Sequence, residues 1–383
     1  MATRIIEGAV YVDEAPAVDA LLGEIGSCTE IAVDTEGASF HKFLDRIYLL
    51  QLSTHDRSAI IDPIPTGKLE RLGALLEDRA VQVIFHDADY DLRLLRQDYG
   101  WKVTNIFDTR IAAQLLGIKS FGLAALLHQY FDVKLDKKHQ RADWSMRPLP
   151  DDMLEYAAQD TKFLLRLRDH LHSQLEAKGR LEWAKEEFSL LENIQWEPGP
   201  DPDAFLRIKG ARDLTRRELA LLRELAAWRD EAARHLDRAT FRVIGNEALL
   251  EISHVAPKTM QELTQIKGAP RALMERAGSE VLAAVKRGLA VPEAELPKFP
   301  KSLRWNKDPD FDDRVARLKA VRDEAADRLQ LDPGVLGSRE RLEAVARRNP
   351  TSISDFADIP ELRRWQVKEM GEQFIRALNK TRG

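Results

Sequence analysis

The chain has 383 residues, 44% of them hydrophobic and 32% charged, with a net charge of -5 and one cysteine, Cys28. That apolar content excludes wholesale disorder, and the length suggests two or three domains. A lone cysteine excludes an internal disulfide framework and a Cys-rich zinc site; the longest apolar runs are too short to cross a bilayer, and Met1 to Val10 lacks the pattern of a signal peptide, so a cytoplasmic protein without membrane association is expected.

In chain order, Glu30 to Glu36 alternates as a strand, and Ile47 to Ser53 and Ser58 to Asp62 follow after short turns, which predicts an antiparallel meander. Lys68 to Glu77 reads as a helix, Val81 to Phe85 as a β-branched strand, and Asp87 to Gln97 as a helix with Asp87 as its N-cap. This alternation predicts parallel additions to the same sheet. From Asp108 onward the pattern is mostly helical, including the stretch Asp151 to His172. Proline-rich segments predict linkers at 197–208 and 292–310, which separate units at 1–196, 209–291 and 311–383. In the second unit Leu219, Leu222, Leu225 and Trp228 recur at helical spacing, and short helices follow at Glu247 to Ile252, Pro257 to Leu263 and Ser279 to Leu289. The third unit is similar in length and also helical, which hints at a duplication. Residues 1–196 hold 23 Lys+Arg against 32 Asp+Glu, a net of -9, and the remainder holds 35 against 31, a net of +4. An acidic unit beside a mildly basic one fits a carboxylate-rich metal site next to a surface that meets a polyanion.

Four acids sit where an acid is awkward unless it is used. Period-two alternation in Ile31-Ala32-Val33-Asp34-Thr35-Glu36 places Asp34 and Glu36 on one face at the end of an apolar strand, where two like charges repel unless a cation offsets them. Asp91 lies a full turn inside the helix that follows Val83 to Phe85, where a capping role weakens. Asp160 shares a helix face with Tyr156, and the neighbouring Met153, Ala157 and Leu164 turn that face inward. A carboxylate there needs a partner, either a metal or an arginine such as Arg110 or Arg147. His86 reads as a packed strand end more readily than as a ligand.

A strand Asp-x-Glu, an Asp in a helix about 55 residues on, and a helical Tyr-x-x-x-Asp about 65 further resembles the ordered signature of the tyrosine-containing DEDD exonucleases, and most closely that of the bacterial ribonuclease D family. Ala32-Val33-Asp34-Thr35-Glu36, Phe107-Asp108-Thr109, Asp143-Trp144-Ser145-Met146-Arg147-Pro148-Leu149 and Tyr156-Ala157-Ala158-Gln159-Asp160-Thr161 carry the resemblance. Leu225 to Glu231 and Asn246 to Ile252 resemble the helicase-and-RNase-D C-terminal (HRDC) domain, and residues 311–383 resemble a more divergent copy that opens on Val321-Arg322.

The resemblance implies an α/β, ribonuclease H-like mixed-sheet exonuclease domain followed by two all-helical HRDC-type domains. It implies 3′–5′ hydrolysis of RNA with release of nucleoside 5′-monophosphates, maturation of tRNA precursors, and two divalent metal ions, Mg²⁺ or Mn²⁺. By position Asp34 would bridge the two ions, Glu36 and Asp160 would complete the first site, and Asp91 would serve the second. Tyr156, with an ordinary pKa near ~10, is a poor base at neutral pH and would position the attacking water. The expected partner is RNA with a free 3′ end, met by a monomer whose helical tail adds affinity. The basic segment Lys137 to Arg141 is a further candidate for phosphate contact. The alternatives are a DNA 3′–5′ exonuclease, which shares the carboxylate set, and a non-catalytic RNA-binding module, which would usually have lost one of the acids. A helicase fragment is excluded by the lack of a Gly-x-x-x-x-Gly-Lys-Ser/Thr loop, and a serine hydrolase by the lack of Gly-x-Ser-x-Gly.

Overall fold

A computed structural model describes residues 4–136, 138–196, 201–300 and 309–379. The N-terminal unit is built on a seven-stranded mixed sheet, in the order β1-β2-β5-β4-β3-β6-β7. The hairpin β1 (Arg4–Ile6) and β2 (Ala9–Val12), closed by positive φ at Glu7 and Gly8, leads to helix α1 (Ala15–Ile25). Neither the hairpin nor α1 stands out in the sequence pattern. Then β3 (Glu30–Glu36), β4 (Leu49–Ser53) and β5 (Ser58–Ile61) form the expected antiparallel meander, and β5 also pairs with β2 in parallel. After α2 (Pro63–Thr66) and α3 (Glu70–Leu76), β6 (Gln82–Phe85) joins β3 in parallel; α4 (Asp89–Tyr99) then leads to β7 (Ile106–Asp108), parallel to β6.

Alternation sorts the strands between two cores. Ile31, Val33, Val83 and Phe85 face one layer with Leu92 and Leu95 of α4. Ala32 and Ile84 face the other, against Leu164 and Leu167. On this second side lie α5 (Thr109–Leu115), α6 (Leu123–Phe131), α7 (Asp151–Lys162), α8 (Leu164–Ala177) and α9 (Leu181–Leu191).

Two local expectations are corrected. The helical stretch Asp151 to His172 is two helices, broken at Phe163 (φ -109°, ψ -1°). The break lets α7 lie across β4 and β5 while α8 lies across β3 and β6, so each follows a different part of a twisted sheet. Asp87 does not cap α4: it takes φ 71° and pairs with Arg110, and Ala88 occupies the cap position, so the helix starts later than expected and Asp91 falls in its first turn instead of a full turn inside. The Ala88 N–H donates instead to Asp108 Oδ2 at 2.8 Å, and the other oxygen of Asp108 accepts from the first turn of α5.

The first helical bundle comprises α10 (Arg216–Leu236), α11 (Thr240–Val243), α12 (Asn246–Val255), α13 (Met260–Thr264) and α14 (Arg271–Ala290). Thr215 and Glu218 form a capping box that starts α10. Leu219, Leu222, Leu225 and Trp228 are all buried, as their spacing requires. Gly288 lets α14 approach closely, since a Cβ there would meet the Leu221 Cα at 2.7 Å. Of the predicted linkers, residues 197–200 and 301–308 lie outside the described residues. The described remainder is not all linker, because Phe205 and Ile208 are buried in this bundle and Phe299 packs on it.

The second bundle comprises α15 (Phe311–Leu329), α16 (Pro333–Leu336), α17 (Arg339–Arg348) and α18 (Arg364–Asn379). Its core is continuous with that of α5, α8 and α9. Trp365 stacks on Trp183 with ring centroids 4.6 Å apart and 15° between planes, and its Nε1 donates to Glu187 at 2.9 Å. Glu186 accepts from the Arg364 and Trp365 N–H groups at 2.7 and 3.1 Å, so an acid from α9 satisfies donors at the start of α18. Arg180 bridges both units through the Leu115 and Leu329 carbonyls.

Candidate active site

Beyond Glu36 the chain leaves the sheet as a loop that returns at β4, and a cleft of about 790 Å³ opens beside it. Asp34, Glu36, Asp91, Tyr156 and Asp160 all line this cleft. Asp34 and Glu36 share a face of β3, and α7 brings Asp160 across that face. Each of the three offers a carboxylate oxygen within 4.8 Å of the other two. Asp91 reaches the cleft from α4, which packs on the opposite face of the sheet, and is held by the Thr35 N–H at 3.0 Å and the Thr35 hydroxyl at 2.6 Å. Thr35 does not stand out in the sequence as a functional residue. Its signal is the same alternation: lying between two acids on β3, it points to the side from which Asp91 comes.

The electrostatics are those of an uncompensated anionic site. Among the described residues no Lys, Arg or His is ion-paired with any of these four acids. The two arginines considered as partners for Asp160 are engaged elsewhere. Arg110 pairs with Asp87, and Arg147 makes a bidentate pair with Asp62 at 2.6 and 2.8 Å and also donates to the Tyr48 and Trp144 carbonyls. The Trp144–Arg147 string therefore fastens its loop to the sheet. Burial, then the neighbouring Asp160, raises the pKa of Asp34; burial and the other three acids raise that of Glu36. Asp91 is raised by burial and by Asp34, against the opposing pull of the Thr35 hydrogen bonds. Burial and Asp91 push Asp160 up to about 7. Four oxygen donors with no protein counter-charge suit a hard divalent cation.

This has a consequence for stability. A carboxyl with a raised folded-state pKa binds more protons folded than unfolded between about pH 4 and about 7, so the metal-free protein loses stability as pH rises through that window. In thermal melts with EDTA the midpoint is expected to fall from pH 5 to pH 7.5, and added Mg²⁺ or Mn²⁺ should recover more at pH 7.5 than at pH 5. Equal metal-induced shifts at both pH values would contradict this electrostatic account.

Tyr156 is half-buried, and its hydroxyl pKa is raised by burial and by Asp160, Glu36 and Asp34, while Gln140 hydrogen-bonds to it. Of the basic segment, Lys137 lies outside the described residues, Lys138 pairs with Asp152 at 2.8 Å, and the Arg141 guanidinium lies 5.1 Å from the Phe40 ring centroid. The loop after β3 also meets the first helical bundle. Lys42 pairs with Asp237 at 2.7 Å, Arg242 bonds the Phe40 carbonyl, and Phe40 meets Phe241 edge-on at 6.3 Å. Phe40 lines the cleft, so the bundle sits at its rim.

Comparison with known proteins agrees with this architecture. Residues 9–176 match the family model described as a 3′-5′ exonuclease, and residues 218–285 and 311–378 each match the HRDC domain. Ribonuclease D of Desulfotalea psychrophila is 31% identical over 82% of this chain and 84% of its own length. Ribonuclease D of Granulibacter bethesdensis is 31% identical over 91% of this chain and 87% of its own. The crystal structure of Escherichia coli RNase D, described as an exoribonuclease involved in structured RNA processing, superposes with a TM-score of 0.74 at 26% identity and covers 99% of both chains. The exonuclease family works with divalent metal, which the acidic cluster suits. No helix among the described residues is long and apolar enough to cross a membrane. The chain belongs to the ribonuclease D family and is a 3′–5′ exoribonuclease with two HRDC domains.

Proposed function

We propose that this exoribonuclease matures the 3′ ends of tRNA precursors, acting as a cytoplasmic monomer and releasing nucleoside 5′-monophosphates. The observation that carries the reading is the cluster of Asp34, Glu36 and Asp160 within 4.8 Å, in one cleft with Asp91 and without protein counter-charge. Asp34, Glu36, Asp91 and Asp160 would hold two divalent ions, Mg²⁺ or Mn²⁺. When bound, such ions supply the positive charge that attack of water on an anionic phosphodiester requires. The likeness to an RNase D described as processing structured RNA supports a folded precursor as substrate.

The chain's own groups orient that reaction. Thr35 holds Asp91 Oδ1 with two hydrogen bonds, from its backbone N–H and its hydroxyl. The Tyr156 hydroxyl stays protonated, because burial and three acids oppose its ionisation, so it acts as a fixed donor and not as a base. Phe40, with Arg141 over its ring and Phe241 at its edge, offers an unpaired base a stacking surface at the rim. The HRDC bundles add sequence-independent affinity for phosphates.

A precursor tRNA labelled throughout its 3′ extension, digested with Mg²⁺ or Mn²⁺ and again with chelator, tests the proposal. Stepwise release of 5′-monophosphates only with metal is expected, and metal-independent or internal cleavage would refute it. Tyr156→Phe should cut turnover roughly ten- to a hundredfold while metal affinity by calorimetry stays near wild type. Equal loss of both would refute the positioning role.

A further inference from the structure

His86 directly follows β6 (Gln82–Phe85), the strand that pairs with the one carrying Asp34. The register pairs Ile31 with Val83 and Ala32 with Ile84 in parallel, so His86 leaves β6 at the same end of the sheet at which β3 carries Asp34. Both line the cleft. His86 Nδ1 lies 2.9 Å from the Thr109 hydroxyl oxygen, and that hydroxyl lies 3.0 Å from the Phe85 carbonyl. The carbonyl can only accept, so the single hydroxyl proton of Thr109 goes to it. The Thr109 oxygen is then left to accept, and His86 must donate from Nδ1–H. A neutral ring protonated at Nδ1 carries a bare lone pair on Nε2. Burial and the nearby Arg110 guanidinium hold the imidazolium pKa down to about 4, so the ring is neutral near pH 7. Nε2 has no hydrogen-bond partner among the described residues, and His86 lines the cleft.

We propose that His86 Nε2 accepts a hydrogen bond from a ribose 2′-hydroxyl at the 3′ end of the bound RNA, making His86 a residue that separates RNA from DNA. The inference rests on the reading above, in which an RNA end occupies this cleft. An atom that can only accept selects for a hydroxyl proton, and a deoxyribose offers only C–H at that place. Within the deoxy strand the lone pair would face carbon and lose its partner.

The test uses the full-length protein and three short RNAs: all-ribose, 2′-deoxy at the last nucleotide only, and 2′-deoxy at the second-last only. Wild type should be slowed about threefold to tenfold by one of the two deoxy positions, which identifies the ribose concerned. His86→Phe should cut all three at one rate, and His86→Gln, whose amide oxygen can accept, should recover part of the discrimination. Thr109→Val, which removes the acceptor that fixes the tautomer, should lower the discrimination with His86 in place. Circular dichroism melts report whether each variant folds. Should His86→Phe not fold, the His86→Gln and Thr109→Val rates decide alone. Nitrogen-15 NMR of the wild-type imidazole should show Nδ1 protonated and Nε2 bare. Undiminished discrimination in folded His86→Phe, no discrimination by wild type at either position, or the opposite tautomer would each overturn the proposal. Failure of wild type to digest any of the RNAs would instead sink the RNA-end reading, and this inference with it.

Discussion

Asp34→Asn is expected to lower exonuclease turnover by at least ~1000-fold, equivalent to about 4 kcal/mol of lost transition-state stabilisation. The amide keeps the shape of the side chain, so packing on β3 is preserved and the change is one of charge. Asp34 is the acid whose ionisation is opposed first by burial and then by Asp160, and it in turn raises Glu36 and Asp91. Neutralising it should therefore leave the metal-free fold unchanged or slightly more stable near pH 7, while weakening divalent-metal binding. Activity and stability then move in opposite directions, as expected where a site stores unfavourable electrostatics for function. Three measurements on one variant decide the matter: turnover on labelled RNA, a calorimetric metal titration, and a thermal melt in EDTA. A variant that loses activity because its metal-free form melts much earlier would show Asp34 to be structural.

The second large effect concerns the far side of the molecule. Trp365→Ala should destabilise the docked C-terminal bundle by ~3–5 kcal/mol, the range for truncating a buried large aromatic. Trp365 is 4% exposed, and its loss removes the stack on Trp183 and the indole donor to Glu187, which keeps its pair with Arg363. The expected signature is a lower first melting transition and faster protease cutting within residues 309–379, with cleavage of a short oligonucleotide retained, because Trp365 does not line the cleft. Trp365→Phe should be milder, since the ring remains and only the Nε1 bond is lost. A single unshifted transition for Trp365→Ala would refute the docking role. The same shared core means that deleting residues 197–383 would bare Trp183 and the faces of α5, α8 and α9. Such a truncation would confound lost RNA affinity with lost stability, so charge substitutions on the bundles test the tail more cleanly.

Much of the fold follows from local pattern. Alternation in Glu30 to Glu36 and the turns after it give the meander, and the three-four spacing from Leu219 to Trp228 gives α10, because burial of one face is a short-range requirement. The same alternation already places Asp34 and Glu36 together, and the inward face of α7 places Asp160 where it needs a partner. What that partner would be was not legible. Arg110 and Arg147 were chemically suitable, but Asp87 and Asp62 claim them, and those pairings span 23 and 85 positions of sequence. Thr35 as the clamp on Asp91, 56 positions away, is of the same kind. So is the second bundle's seat on Glu186, Glu187 and Trp183, with separations near 178. Periodicity records which way a side chain turns. Which distant group it meets is set by the order of the strands and by where a helix such as α7 breaks, and only the assembled tertiary structure decides that.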